Sequence, residues 1–341
     1  MSRIVSRFLL PIILFPALSA LAFHFLLGHL VNSGAGAQLA AQCPPNAGLY
    51  SLTYTNHPGA DRTLCILVSI FHAAFDKSTE PVLLEFGGSG AVLLIFPFVE
   101  SARSGRSFLL SLSTVVAFGL GFQRLGAGIV YPLFWTLIIL SGTASFRQGP
   151  HSKITQAHAE ANLLALFVLA ALSAAMFILQ DPIVTAVWQV FPVWLGMSRL
   201  LYPLFRPSTT KSGYAVTQFT YLLTFFTSAI SHITVLGPLV QDTAALKLAF
   251  YPPFEVSSPA VTTVVSAAKV FLQWDLYFTL ASSMIGCLWF AHTRRQFVFI
   301  SLWTVIFSLA LGPGAAVSAV LMWREHKLNG RRTSTTKSKH Q

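Results

Sequence analysis

The sequence predicts an all-α fold, a polytopic bundle of about eight transmembrane helices, with seven to nine permitted. Three observations carry this. Of 341 residues, 54% are hydrophobic and only 10% charged, against about 25% charged in soluble domains. The mean hydropathy is +0.65. Several apolar runs also reach about 18 residues, the length at which a helix crosses hydrocarbon. Lipid leaves backbone amides no partners but one another, so such runs have to be helical.

Candidate spans are 8–31, 81–100, 107–142, 157–179, 183–204, 214–240, 266–291 and 296–323. The start, MSRIVSRFLLPIILFPALSALAFHFLL, has the basic flank of a signal peptide. Its apolar run is longer than the roughly 7–15 residues of a cleavable core, which reads as a retained first helix or signal anchor. Segment 32–61 is polar and rich in Gly and Pro, hence a loop. RTLCILVSIFHAAFD (62–76) is short, and either lies at the interface or crosses. Segment 107–142 contains GLGFQRLGAG and is too long for one straight crossing, so it is two short spans or one kinked helix. Residues 241–262 form a second loop around AFYPPFEVSSP. If the loops carrying Arg147, Arg206 and Arg294–Arg295 are cytoplasmic, an odd final span puts the basic tail on the wrong side. A break at LGPG, around Pro313, restores the parity. The chain divides into a bundle over 1–325 and a basic, disordered tail over 326–341.

The net charge of +11 does not indicate nucleic acid. Six of the 22 Lys and Arg residues lie from Arg324 onward, and most others flank the apolar runs. That is the cytoplasmic positive bias of membrane proteins, which also attracts anionic lipid. Three cysteines cannot build a disulfide framework. Cys43 and Cys65 flank a polar segment, where one bridge is open to them in an oxidising lumen.

Eleven acidic residues are few enough to take singly. Asp61, Asp242, Glu255 and Glu325 fall in loops or the tail and read as solvated. Glu160 and Asp181 read as interfacial, with Asp181 before a proline in ordinary turn chemistry. His72, Asp76 and Glu80 would share one face of a continuing helix, but no second acidic cluster completes a metal–diphosphate site, and no metal is expected. Glu85 and Glu100 bracket one span. Asp275, in KVFLQWDLYFTLAS, lies deep in another. A carboxyl there costs roughly 2.5–3.5 kcal/mol on insertion scales, so it faces the bundle interior and has a partner. It serves either as an interhelical hydrogen bond or as a shielded acid that can donate a proton. Trp188, Gln189, Trp194 and Arg199 form either an interface belt or, at Trp188, a cation-stabilising wall. His232 is a lone imidazole, for packing or for proton relay. Nucleophile elbow, phosphate loop, HExxH and dinucleotide fingerprint are all absent from the sequence.

Three stretches carry a family resemblance: FVESARSG with FGLGFQRLGAGIVYPLFW, then AEANLLALFVLAALSAAMFILQDPIVTAVWQVFPVW, then SHITVL with FLQWDLYF. In order and spacing, from about residue 60 to 292, they resemble fungal multi-span membrane proteins that include the terpene cyclases of ascofuranone, ascochlorin and macrophorin biosynthesis. The resemblance implies protonation of a terminal epoxide or olefin on a prenylated aromatic compound, cyclisation of the carbocation, and loss of a proton. It implies an endoplasmic-reticulum enzyme of meroterpenoid secondary metabolism, without metal or redox cofactor, whose partners are membrane lipid and a lipophilic, epoxidised substrate. Carried onto this chain, it gives Glu100 with Arg103, Gln123, Trp188 with Gln189, and Asp275. Asp275 would be the general acid, Glu100 or Glu85 would assist or receive the final proton, Trp188 and Trp274 would flank the cation, and His232 would relay. The alternatives are an exporter of a lipophilic metabolite and a membrane protein without chemistry.

Overall fold

The computed structural model describes residues 9–44, 48–206 and 210–329. Helix α1 (Leu10–Phe23) continues through a π-helical turn (His24–Gly28) into α2 (His29–Asn32), giving one apolar helix of 23 residues. A short α3 (Ala35–Ala41) follows, tied to α4 (Pro58–Ala74) by a Cys43–Cys65 disulfide. Because α4 ends at Ala74, the one-face array of His72, Asp76 and Glu80 does not form. Asp76 instead accepts from the Ser78 amide and hydroxyl, while His72 pairs with Thr185.

Helix α5 (Glu80–Ser101) is the centre of the bundle, with 72% of its apolar window buried against 28% or less in the other long apolar helices. It packs on α8 (Gln156–Leu179), α11 (Tyr214–Leu239), α13 (Val264–Cys287) and α15 (Pro313–Asn329). Helices α9 (Pro182–Gln189) and α10 (Phe191–Phe205) form one run bent by 58°. Asp181 starts that run by accepting from the Ile183 and Val184 amides, the turn role its position before proline suggests. A short α12 (Thr243–Phe250), capped by Asp242, and the loop after it lie across the start of α13.

The segment 107–142 resolves into two helices, α6 (Leu112–Leu125) and α7 (Ala127–Leu140), turning back at Gly126. At 1.5 Å per residue each of these 14-residue helices is about 21 Å long, short of a ~30 Å hydrocarbon core. Gly126 sits at φ +96°, which a side chain rarely adopts.

The expected break at LGPG is present: Gly312, at φ +91°, separates α14 (Arg294–Leu311) from α15. Helix α15 runs to Asn329, four residues past the expected end of the bundle, and the rest of the tail lies outside the described residues. Among the described residues, five helices are long and apolar enough to cross a membrane, or six with the bent pair counted as one. That test does not reach the expected number of about eight. Helix α13 carries Lys269, Gln273 and Asp275, and α15 has only 17 residues.

The bundle has two unlike ends. At one lie the Arg103 bond to the Ser152 carbonyl, the Arg324 bond to the Thr143 carbonyl and the Glu160–Arg206 pair. At the other lie the disulfide and the α12 segment, tethered where Gln38 donates to the Thr262 carbonyl.

Candidate functional site

The turn after α5 begins with Glu100 and Arg103, one helical turn apart, and folds them against α15. The Arg103 guanidinium donates to both Glu100 oxygens at 2.9 and 2.8 Å and to Glu325 at 2.6 Å, and its last nitrogen reaches the Ser152 carbonyl at 2.8 Å. Arg324 grips the same Glu100 carboxylate with two bonds, at 2.7 and 3.0 Å, and lies 4.2 Å over the Phe290 ring. Two cations and two anions therefore neutralise each other out of water. Both oxygens of Glu100, the group expected to assist the acid or take the final proton, accept from guanidinium groups, and with Arg103 this carboxylate forms a buried ionic lock. Glu325 and Arg324 were the unread half of this lock. Glu325, expected to be solvated, is 1% exposed. The signal lay in VSAVLMWREHKLN, which continues an apolar helix straight through the charges.

Glu85 and His232, expected separately, come together at the opposite end of α5. Glu85 Oε1 is 3.0 Å from His232 Nδ1 and accepts from Ser89 at 3.3 Å; Ser89 also meets Ser228 and the Gly314 amide. His232 Nε2 faces the Leu309 carbonyl at 3.3 Å. A carbonyl only accepts, so a hydrogen sits on Nε2, and one further proton lies between Nδ1 and Glu85. Glu85 Oε2 is buried without a hydrogen-bond partner.

Asp275 occupies the midpoint of α13. Its Oδ1 accepts from the Gly128 amide, and the Ala127 amide also bonds the carboxyl. These are the first amides of α7, which the helix itself leaves unsatisfied. The opening of a half-length helix deep in the bundle is therefore the partner that α13's carboxyl requires. Phe278, which with the carboxyl crowds Gly128, belongs to an aromatic group in which Phe25 stacks on Trp274 at 4.2 Å, with Phe254 and Phe278 at 6.0 and 6.1 Å from Phe25. The Trp274 indole is held in place by its bond to the Pro253 carbonyl.

Beside this group is a hollow of about 40 Å³, lined among others by Leu26, His29, Phe271, Pro253 and Glu255. Leu26 and Phe271 crowd Gly126 together with Asp275: a Cβ built there would meet them at 2.8, 3.1 and 3.0 Å. Ligand pockets run to about 300–1,000 Å³, so the hollow as it stands is too small for a ligand, and the 251–262 segment covers one side of it. A larger hollow of about 490 Å³ lies between α8 and α10, but its lining is apolar apart from Ser198 and Tyr202 and includes no acid.

The remaining expected residues divide. Trp274 precedes Asp275 in α13, and Gln123 lies in α6 three residues before Gly126, its Oε1 buried without a partner. Trp188 and Gln189 do not join this group. Trp188 packs between Phe71 and Phe191 and donates to Ser173, and Gln189 is buried at the α9–α10 bend. His29, which directly follows the π-helical turn His24–Gly28, carried no signal in the sequence.

The described residues form an all-helical bundle with a carboxyl, Asp275, buried at the middle of α13. The family model for the CtvD domain matches residues 10–328, and the chain belongs to that family. It is 24% identical over 327 residues to a terpene cyclase, ascI, of Acremonium egyptiacum, covering 85% of each chain. It is also 21% identical over 332 residues to an FAD-dependent monooxygenase, verC1, of Penicillium polonicum, covering 90% of this chain but only 40% of that longer protein. No solved structure matches.

Proposed function

We propose that this chain is an integral-membrane terpene cyclase of the endoplasmic reticulum, passing the bilayer eight times. It would act on a prenylated aromatic carrying a terminal epoxide or olefin. The observation that most supports this reading is the Asp275 carboxyl, buried at mid-helix close to Phe278 and to Leu26 and Phe271, which line the hollow under the 251–262 segment.

The steps follow from that arrangement. Asp275 gives a proton to the epoxide oxygen, the carbon–oxygen bond breaks, and positive charge develops on carbon. The α7 amides stabilise the carboxylate left behind, as a helix N-terminus does for an anion. The faces of Phe25, Trp274 and Phe278 offer π density to the moving cation, and the cover keeps water from trapping it. An internal alkene closes the ring, and proton loss ends the reaction. The product is an isomer of the substrate, so no redox cofactor is consumed.

The terpene cyclase among the relatives supports the reaction class. The monooxygenase name belongs to a protein more than half of which has no counterpart in this chain. An oxidation carried out by such a protein is in keeping with an epoxide as the substrate's reactive group.

Sealed microsomes containing the protein, given an epoxyprenyl phenol and no cofactor, should yield a cyclised product of unchanged mass. Accumulation of unaltered substrate inside the vesicles would instead indicate a transporter, for which the α6–α7 hairpin and the bent α9–α10 run would be the broken helices.

A further inference from the structure

The proton lost at the end of cyclisation needs a base, and neither Glu100 nor His232 has a free lone pair to offer. Glu100 is held by two guanidinium groups, and both His232 nitrogens are engaged. Glu85 keeps one oxygen unpaired, but its other oxygen is held by His232 and Ser89 and it does not line the hollow; Asp275 adjoins the hollow through Leu26 and Phe271, which line it and crowd Gly126 together with the carboxyl.

His29 does line it. The π-helical turn His24–Gly28 carries Phe25 and Leu26 and hands the chain to α2, which opens with this histidine. The side chain is 6% exposed, and Nε2 is buried with no hydrogen-bond partner. The other ring nitrogen is bonded to the main chain of Phe254 in the cover. That bond keeps the hydrogen on the far nitrogen and leaves a bare lone pair on Nε2. The Phe25 ring stands 5.7 Å from the imidazole and 4.2 Å from Trp274, so one run of rings connects His29 to the turn of α13 that bears Asp275. Ser33, Thr262 and Ser266 line the same hollow, and Glu255 stands exposed at its rim.

We propose that His29 is the base that ends the reaction, its Nε2 taking a proton from the carbon next to the final cation. This rests on the reading of Asp275 as the initiating acid. The carbon–hydrogen bond breaks, its electron pair becomes the new alkene, and His29 becomes an imidazolium. When the cover opens to release product, His29 loses that proton to water and Asp275 regains one, so the turnover is a net isomerisation.

The test is His29→Gln in microsomes, with the epoxyprenyl phenol as probe and product masses as readout. Glutamine keeps an amide that can donate to Phe254 but has no basic nitrogen; His29→Asn serves if Gln lowers the membrane yield. With the base gone, substrate should still be consumed, the cyclised isomer should fall about tenfold or more, and a product heavier by one water should appear. Wild-type proportions of the isomer, or a complete loss of consumption in protein whose Cys43–Cys65 bridge is intact, would overturn the assignment. Failure of the underlying acid reading looks different: Asp275→Asn would then consume substrate as wild type does.

Discussion

Two carboxylates of the same span-bound kind have opposite surroundings. Glu100 faces two guanidinium groups and is a fixed anion, whereas Asp275 accepts from the first amides of α7 among apolar side chains. The sequence marks both as anomalies in apolar context, because the cost of a lone charge there is independent of its partner. It does not mark the partner. Arg324 and Glu325 lie more than 220 residues from Glu100 and Arg103, and only the folded arrangement of α15 brings them near. Breaking a buried pair leaves an uncompensated charge and costs about 3–5 kcal/mol. Glu100→Gln should therefore lower the unfolding temperature of the detergent-solubilised protein markedly while leaving the product profile of the folded fraction unchanged. An unshifted melting curve would remove the lock from this account.

At the scale of the element, the α6–α7 hairpin explains why α13 keeps a polar midpoint. A helix that begins inside a bundle needs an acceptor for its first amides, and non-helical backbone is tolerated at that depth only when buried in protein. The excess length of 107–142 and its GLGFQRLGAG core made a break legible in the sequence. That the break is opposite Asp275 was not legible, since neither segment's pattern encodes which helix it meets. The same holds for Trp188 and Gln189, whose WQ pair reads like Trp274's QW but packs elsewhere. Gly126→Ala should be costly on two counts: φ +96° and a Cβ within 3.0 Å of both Leu26 and the Asp275 carboxyl. Backbone strain alone is worth about 1–3 kcal/mol. Reduced thermal stability together with reduced cyclisation is the expected outcome. A variant with wild-type values of both would show that the tip does not position the acid.

For the whole molecule, charge and sulfur chemistry distinguish the two ends. The Gly312 break returns α15 to the end holding Arg103 and Arg206, which satisfies the positive-inside bias that an unbroken final span would violate. A disulfide persists in an oxidising compartment, so the Cys43–Cys65 end and its cover should be lumenal. Cys43 and Cys65 should resist maleimide until reduced, and an acceptor site for N-glycosylation placed in the 48–57 loop should be modified. Free thiols at both positions, or an unmodified site, would reverse the orientation. The helical, membrane-type architecture and the polar anomalies were thus readable from composition and spacing. The lock, the Glu85–His232 pair and the His29 hollow each required elements distant in sequence to meet.

Whether a shielded carboxyl starts the cyclisation is decided by Asp275→Asn. The amide is nearly the same size and still accepts from α7, but it has no acidic proton to give. With membrane yield and the Cys43–Cys65 bridge shown to be intact, microsomes carrying this variant should leave the epoxyprenyl phenol uncyclised, where wild type converts it to an isomer of equal mass. Cyclisation at the wild-type rate by the variant would contradict the account.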